Sequence, residues 1–280
     1  MISKNLVLKR KIKKPIVFDL FFKENTQQKP IIIFCHGYKG FKDWGSWDLV
    51  AKTFMEANLF FVKFNFSHNG GTINNPIDFP DLDAFAENNY TKELDDLDAI
   101  INHLLSSKFK YRKEIDVNNI TVIGHSRGGG ISIIKASEDS RLSKLITWAS
   151  VCNFSKRSST IGDLENWRKT GVKYVLNGRT NQKMPHNFQF YEDFKANENR
   201  LNIENAAKKL KIPFLIIHAK NDPSIKFHEA ECLNSWNAKS ELFIVNNSDH
   251  VFGAKHPWQN NTMPEKLKQV VEKSISFIFN

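Results

Sequence analysis

Hydrophobic positions recur along this 280-residue chain with two periods, and the switches between them mark its elements. Leu6-Val7-Leu8 and Ile16 to Phe22 predict two strands, joined by the basic turn Lys9-Arg10-Lys11-Ile12-Lys13-Lys14. Ile31-Ile32-Ile33-Phe34 is a continuous apolar run, as a strand covered on both faces would show. Trp47, Val50, Ala51 and Phe54 then keep helical spacing, and Leu59 to Phe66 returns to strand. A loop rich in Asn, Pro and Asp runs from His68 to about Asn89. Leu94, Leu97, Ile100, Ile101, Leu104 and Leu105 mark one helix face, with Asp95, Asp96 and Asp98 expected on a solvated opposite side. Ile120 to Ile123 predicts a buried strand, a helix follows from near Gly128, and Leu145 to Trp148 is a further strand.

The rhythm breaks between about Asn153 and Asn205, a stretch rich in Ser, Asn, Lys and Arg with scattered aromatics. It resumes with a strand over Ile212 to His218, a helical stretch from roughly Ser224 to Trp236, and a last strand over Glu241 to Val245. Leu267, Val270, Val271, Ser274 and Ile278 suggest a closing helix. Strands alternating with helices predict an α/β fold: a mostly parallel sheet of about eight strands with helices on both faces. The opening strands are its expected antiparallel edge. In such sheets ligands bind beyond the carboxyl ends of the strands, so the residues just after each strand carry the functional question.

Composition narrows the classes. With 41% hydrophobic and 25% charged residues, the chain has an ordinary globular make-up. The 23 phenylalanines stand mostly in strand-like runs and are expected to fill a core. A net charge of +10 raises nucleic acid or an acidic membrane as partners. The basic residues are spread along the chain without a nucleic-acid motif, however, so the charge reads as solubility. Three widely spaced cysteines, Cys35, Cys152 and Cys232, argue against a disulfide framework. With no signal-peptide pattern and no apolar run of membrane-spanning length, a cytoplasmic location is expected.

Four strand ends carry unusual chemistry. Cys35-His36-Gly37-Tyr38-Lys39-Gly40 follows the third strand, and Gly124-His125-Ser126-Arg127-Gly128 follows Ile120 to Ile123. The latter is a G-x-S-x-G turn, in which Gly124 and Gly128 leave room for a strained backbone that lifts Ser126 above the sheet edge. That pentapeptide alone arises by chance in roughly one chain of this length in ten, so its context decides. Asp222 stands just beyond Ile216-Ile217, and His250 just beyond Phe243-Ile244-Val245. The order Ser, Asp, His is that of α/β-hydrolases.

With these residues the chain resembles the α/β-hydrolase superfamily, and within it small bacterial esterases of the feruloyl and cinnamoyl type and serine-aminopeptidase-like hydrolases. Four matches carry the likeness: the H-G after the third strand, the G-x-S-x-G turn, Asp222 in Ala219-Lys220-Asn221-Asp222-Pro223-Ser224-Ile225, and the late Ser248-Asp249-His250. The resemblance implies a cofactor-free serine hydrolase that binds no metal and cleaves a small-molecule acyl ester through an acyl-enzyme. Ser126 would be nucleophile, His250 base and Asp222 the acid that orients it, with the backbone N–H groups of Tyr38 and Arg127 as oxyanion hole. Asp249 is the rival acid, although side chains adjacent in sequence usually diverge. His36 and Gly37 are expected to support the oxyanion loop, His125 to pack behind the turn, Cys35 to be buried, and the Arg127 guanidinium to pair structurally. Residues 153–205 occupy the place of a cap, with 1–152 and 206–280 as the hydrolase core. A monomer or homodimer is expected.

Three other activities fit the same motifs. A peptidase on short peptides would differ only in its pocket, and an acyltransferase would deacylate onto an alcohol or amine. A non-catalytic binding protein is the third, although the intact Ser126, Asp222 and His250 argue against it. The absence of H-E-x-x-H or C-x-x-C spacing disfavours a metal centre, and the lack of G-x-G-x-x-G or G-K-[ST] disfavours a nucleotide site.

Overall fold

The structure, a computed structural model, describes residues 1–25 and 27–280. Eight strands form one sheet: β1 Ile2–Leu8, β2 Ile16–Phe21, β3 Lys29–Cys35, β4 Phe60–Phe64, β5 Ile115–His125, β6 Lys144–Trp148, β9 Phe214–Ala219 and β10 Ser240–Val245. A separate antiparallel hairpin pairs β7, Val172–Asn177, with β8, Gln182–Asn187. The large sheet runs β1-β2-β4-β3-β5-β6-β9-β10. Only β2 opposes the other strands, pairing antiparallel with both β1 and β4, so the sheet is otherwise parallel, with its irregular edge at the N-terminus as expected.

The continuous apolar runs are explained by burial on both faces. In β3, Ile31, Ile33 and Cys35 point into one core while Ile32 and Phe34 point into the other. The first core is closed by helices α3 (Tyr90–Leu105), α4 (Arg127–Glu138), α7 (Ile203–Lys209) and α8 (His228–Trp236). The second lies under α1 (Trp47–Glu56) and α9 (Glu265–Phe279). Register does the rest: Cys35 stands level with Gly124, Gly124 with Thr147, and Ala219 with Val245. The loops after β3, β5, β9 and β10 therefore leave the sheet along one edge. No helix among the described residues is long and apolar enough to cross a membrane.

The His68 to Asn89 loop contains a short helix, α2, Leu82–Ala86, capped by the Asp81 carboxylate on the Ala84 N–H. The 153–205 segment is more ordered than its composition suggests, holding α5 (Leu164–Thr170), the β7–β8 hairpin and α6 (Gln189–Ala196), while α7 crosses residue 205. Trp167, Phe188, Phe190 and Phe194 are buried there and join the main core, with Phe190 edge-on to Tyr90 at 4.9 Å. Tyr174 and Leu176 of the hairpin face outward.

Two readings of charge need correction. Asp96 is not on a solvated face: it is 2% exposed, bound by the Arg10 guanidinium at 2.7 Å and by the Ser67 N–H at 2.7 Å. Nor is every basic residue a solubility device, because Lys29, Lys42 and Lys63 are fully buried. Lys42 and Lys63 share the equally buried Asp19 at 2.8 and 3.0 Å, with Asp43 beside both. Asp19, Asp43 and Asp48 bring carboxylate oxygens within 4.8 Å of one another, and these lysines answer their charges. A buried ion needs such partners, since an unpaired one would cost several kcal/mol.

Candidate active site

Ser126 sits between β5 and α4 with φ 55° and ψ −119°, a conformation that L residues adopt only when their surroundings impose it. The turn's glycines show what imposes it. A Cβ on Gly124 would stand 2.4 Å from the Gly128 carbonyl oxygen, and one on Gly128 would stand 2.4 Å from that of Cys35. Both contacts are backbone and cannot swing away. Gly128→Ala is therefore expected to destabilise the protein by about 2 kcal/mol or more, read as a lowered urea midpoint. A Cβ on Gly37 would lie 2.9 Å from Ser126 Cβ, so the β3–α1 loop passes close against the serine.

The His250 Nε2 lies 3.0 Å from Ser126 Oγ, and its Nδ1 lies 2.7 Å from Asp222 Oδ2. A carboxylate can only accept, so Nδ1 carries the proton and Nε2 is left to accept from the serine. The other Asp222 oxygen accepts from the Ser224 and Ile225 N–H groups at 2.7 and 2.9 Å. Burial pushes the Asp222 carboxyl up, but His250 and those two N–H groups outweigh it and hold the group below the usual carboxylate range. Asp249 goes elsewhere, accepting from the Val251 and Gly253 N–H groups at 3.1 and 2.8 Å.

Two further histidines near Ser126 are fixed by their partners. His36 donates from Nδ1 to the Gly37 carbonyl at 2.9 Å and accepts at Nε2 from the Phe66 N–H at 3.2 Å. Burial pushes it down to about 4. His125 donates from Nε2 to the His250 carbonyl at 3.0 Å, against Trp47, and burial next to His250 pushes it down to about 3. The unfolded imidazole takes up its proton near pH 6.5. The unfolded chain therefore binds more protons between there and the folded value, and stability falls as the pH is lowered through that window. His125→Asn, which cannot titrate, is expected to remove up to about 1 kcal/mol per pH unit of this slope around pH 5. Urea midpoints of both proteins from pH 7 to pH 4.5 check this; parallel curves refute it.

Arg127 opens α4, where the first N–H groups lack intrahelical acceptors. Its side chain turns away from the serine into a buried nest. The guanidinium reaches Glu93 at 3.3 Å and Ser159 Oγ at 2.7 Å, and stacks 4.1 Å from the Tyr38 ring centroid. Burial pushes the Glu93 carboxyl up, against the pull of Arg127. Cys35 is fully buried, and burial raises its thiol to about 12.

Sequence reasoning missed three side chains here. His186, in the hairpin, bonds the Tyr38 hydroxyl through Nε2 at 2.7 Å. His218 lies 3.6 Å from Asp222 while donating to the Ile225 carbonyl at 2.9 Å. Glu93, the third, stands in α3 next to the recognised apolar face and answers Arg127. Only His218, last but one in its strand, carried a positional signal. Beside Ser126 opens a cavity of about 140 Å³, with Tyr38, Lys39, Trp44, Trp47, His250 and Val251 in its wall. None of the buried aromatics of 153–205 lines it.

A mostly parallel eight-stranded sheet with a strained serine turn at its centre defines an α/β-hydrolase. The chain belongs to the phospholipase/carboxylesterase family, whose model matches residues 22–162, and is a hydrolase of the esterase type. That stretch includes the serine turn and ends before Asp222 and His250. A search of curated proteins finds no significant match. Among solved structures, Est1E from Butyrivibrio proteoclasticus is similar at 15% identity over 99% of this chain and 100% of its own, with TM-score 0.71. A structure of Est1E with ferulic acid bound gives 17% identity over 95% of both chains and TM-score 0.72. The α/β-hydrolase GrgF from a Penicillium species gives 14% identity over 99% of this chain and 98% of its own, with TM-score 0.74. At such identities the likeness is one of fold.

Proposed function

We propose that the protein hydrolyses carboxylic esters of small molecules through a covalent acyl-enzyme on Ser126, with His250 as base and Asp222 as its orienting acid. The observation that carries this reading is the unbroken chain from Ser126 Oγ to His250 Nε2 at 3.0 Å and from His250 Nδ1 to Asp222 Oδ2 at 2.7 Å. A serine hydroxyl is a weak nucleophile until a base takes its proton during attack. As Oγ bonds to the ester carbonyl carbon, the proton passes to His250 Nε2, and the nearby Asp222 carboxylate stabilises the imidazolium. The tetrahedral oxyanion is received by the N–H groups of Tyr38 and Arg127. Collapse breaks the bond to the alkoxy oxygen, which leaves with the proton from His250. Water then attacks the acyl-serine and gives one proton to Nε2; collapse breaks the bond to Oγ, which takes that proton back, releasing the acid and restoring Ser126 and His250.

Residues 153–205 act as the cap. Their hairpin meets the oxyanion loop through the Tyr38–His186 bond and through Lys39, which donates to the Leu176 carbonyl at 3.1 Å. The experiment is reaction with a fluorophosphonate followed by peptide mapping, alongside turnover of 4-nitrophenyl acetate. An adduct on Ser126 supports the assignment. An adduct elsewhere, or ester turnover by a protein that takes up no label, removes it.

A further inference from the structure

We propose that Lys39 selects esters bearing a carboxylate, so that the substrate of this site is an anionic ester with a group no larger than about one ring beside Ser126. The inference rests on the hydrolase reading above and adds the substrate class to it. Size comes first. A dry apolar cavity of about 150 Å³ accommodates a benzene molecule, and the space beside Ser126 is about 140 Å³. Trp44, Trp47, Tyr38 and Val251 supply walls suited to a flat apolar body.

Charge comes second. Lys39 belongs to the same wall, and its Nζ lies 5.1 Å from the centroid of the Tyr38 ring, which also lines the cavity. Arg127 approaches that same ring to 4.1 Å, so two cations crowd one aromatic group. The nearby carboxylates are already committed: Glu93 to Arg127 and Asn88, and Asp222 to His250. Among the described residues no carboxylate lies within ion-pair distance of Lys39. Its one hydrogen bond is to the neutral Leu176 carbonyl, leaving two N–H groups to donate. Partial burial, and then Arg127, hold this ammonium below the ordinary lysine range. A half-buried cation without a counter-ion, at the edge of a ring-sized cavity, is relieved by an anion carried in on the substrate. A lysine serving only to fasten the hairpin would show no such preference.

The test compares 4-acetoxybenzoate with its neutral methyl ester, methyl 4-acetoxybenzoate, on the whole protein. A matched pair with the charge in the acyl part, the 4-nitrophenyl monoester of terephthalate and its methyl ester, is run beside it. In at least one pair the wild type is expected to favour the anion in kcat/KM by about 10- to 100-fold, the range of a charged hydrogen bond. Lys39→Met is expected to abolish that ratio, Lys39→Arg to retain most of it, and added salt to shrink it. A wild type indifferent to charge in both pairs overturns the proposal while leaving Ser126 chemistry intact, as does a preference that survives Lys39→Met. No cleavage of any ester, together with no fluorophosphonate label on Ser126, overturns the hydrolase reading and this inference with it.

Discussion

Ser126→Ala is expected to lower kcat on ester substrates by on the order of 10⁴-fold or more, the largest effect of any single replacement in this molecule. The change removes one oxygen from a turn whose backbone is dictated by Gly124, Gly128 and the strand pairing, so the fold has no reason to yield. Substrate affinity should change little, and circular dichroism and the urea midpoint should match the wild type. What survives is the contribution of the oxyanion donors and of binding, which act without a nucleophile. Comparable turnover by Ser126→Ala and wild type in steady-state assays would eliminate the acyl-enzyme on that residue.

Asp222→Asn should be nearly as severe, with a loss on the order of 10⁴-fold in kcat. The amide preserves shape, and its oxygen can still receive the Ser224 and Ile225 N–H groups. It cannot, however, stabilise an imidazolium, and an NH₂ facing His250 Nδ1 favours the tautomer that blocks proton uptake from the serine. Asp249→Asn is expected to cost less than about tenfold, because that carboxylate caps two exposed backbone N–H groups while the imidazole Nδ1 is bonded to Asp222. Measuring both variants against the same ester ranks the two acids. A milder loss for Asp222→Asn than for Asp249→Asn would transfer the role.

The sheet could be read from the chain because burial on both faces leaves no polar alternation to confuse. Ile31 to Phe34 and Ile120 to Ile123 are uninterrupted for that reason, and their ends point to the functional loops. That Ser126, Asp222 and His250 meet was legible from strand ends together with the G-x-S-x-G turn and the order of the three residues. The hairpin was not. A ribbon covered on one side should alternate with period two, but here apolar Tyr174 and Leu176 face outward while polar Asn177 is buried, so the alternation is erased. His186 was invisible for the same reason. The buried ions escaped for another: a lone Lys42 or Lys63 looks like any surface lysine until Asp19, far away in sequence, is brought beneath it. Side-chain charge is local in sequence, whereas its neutralisation is decided by tertiary contacts. Asp96 repeats that lesson on a helix whose hydrophobic face was recognised correctly.

The Tyr38–His186 bond ties residues 153–205 to the loop after β3 and makes that segment a poor candidate for modular exchange. Engineers often treat an insertion of this kind as an interchangeable specificity cassette. Here, transplanting a foreign one without an equivalent imidazole would strand a phenol in the loop that passes close against Ser126. Chimeras of this protein should therefore lose catalytic speed along with their altered preference, unless the graft carries a replacement partner for that hydroxyl.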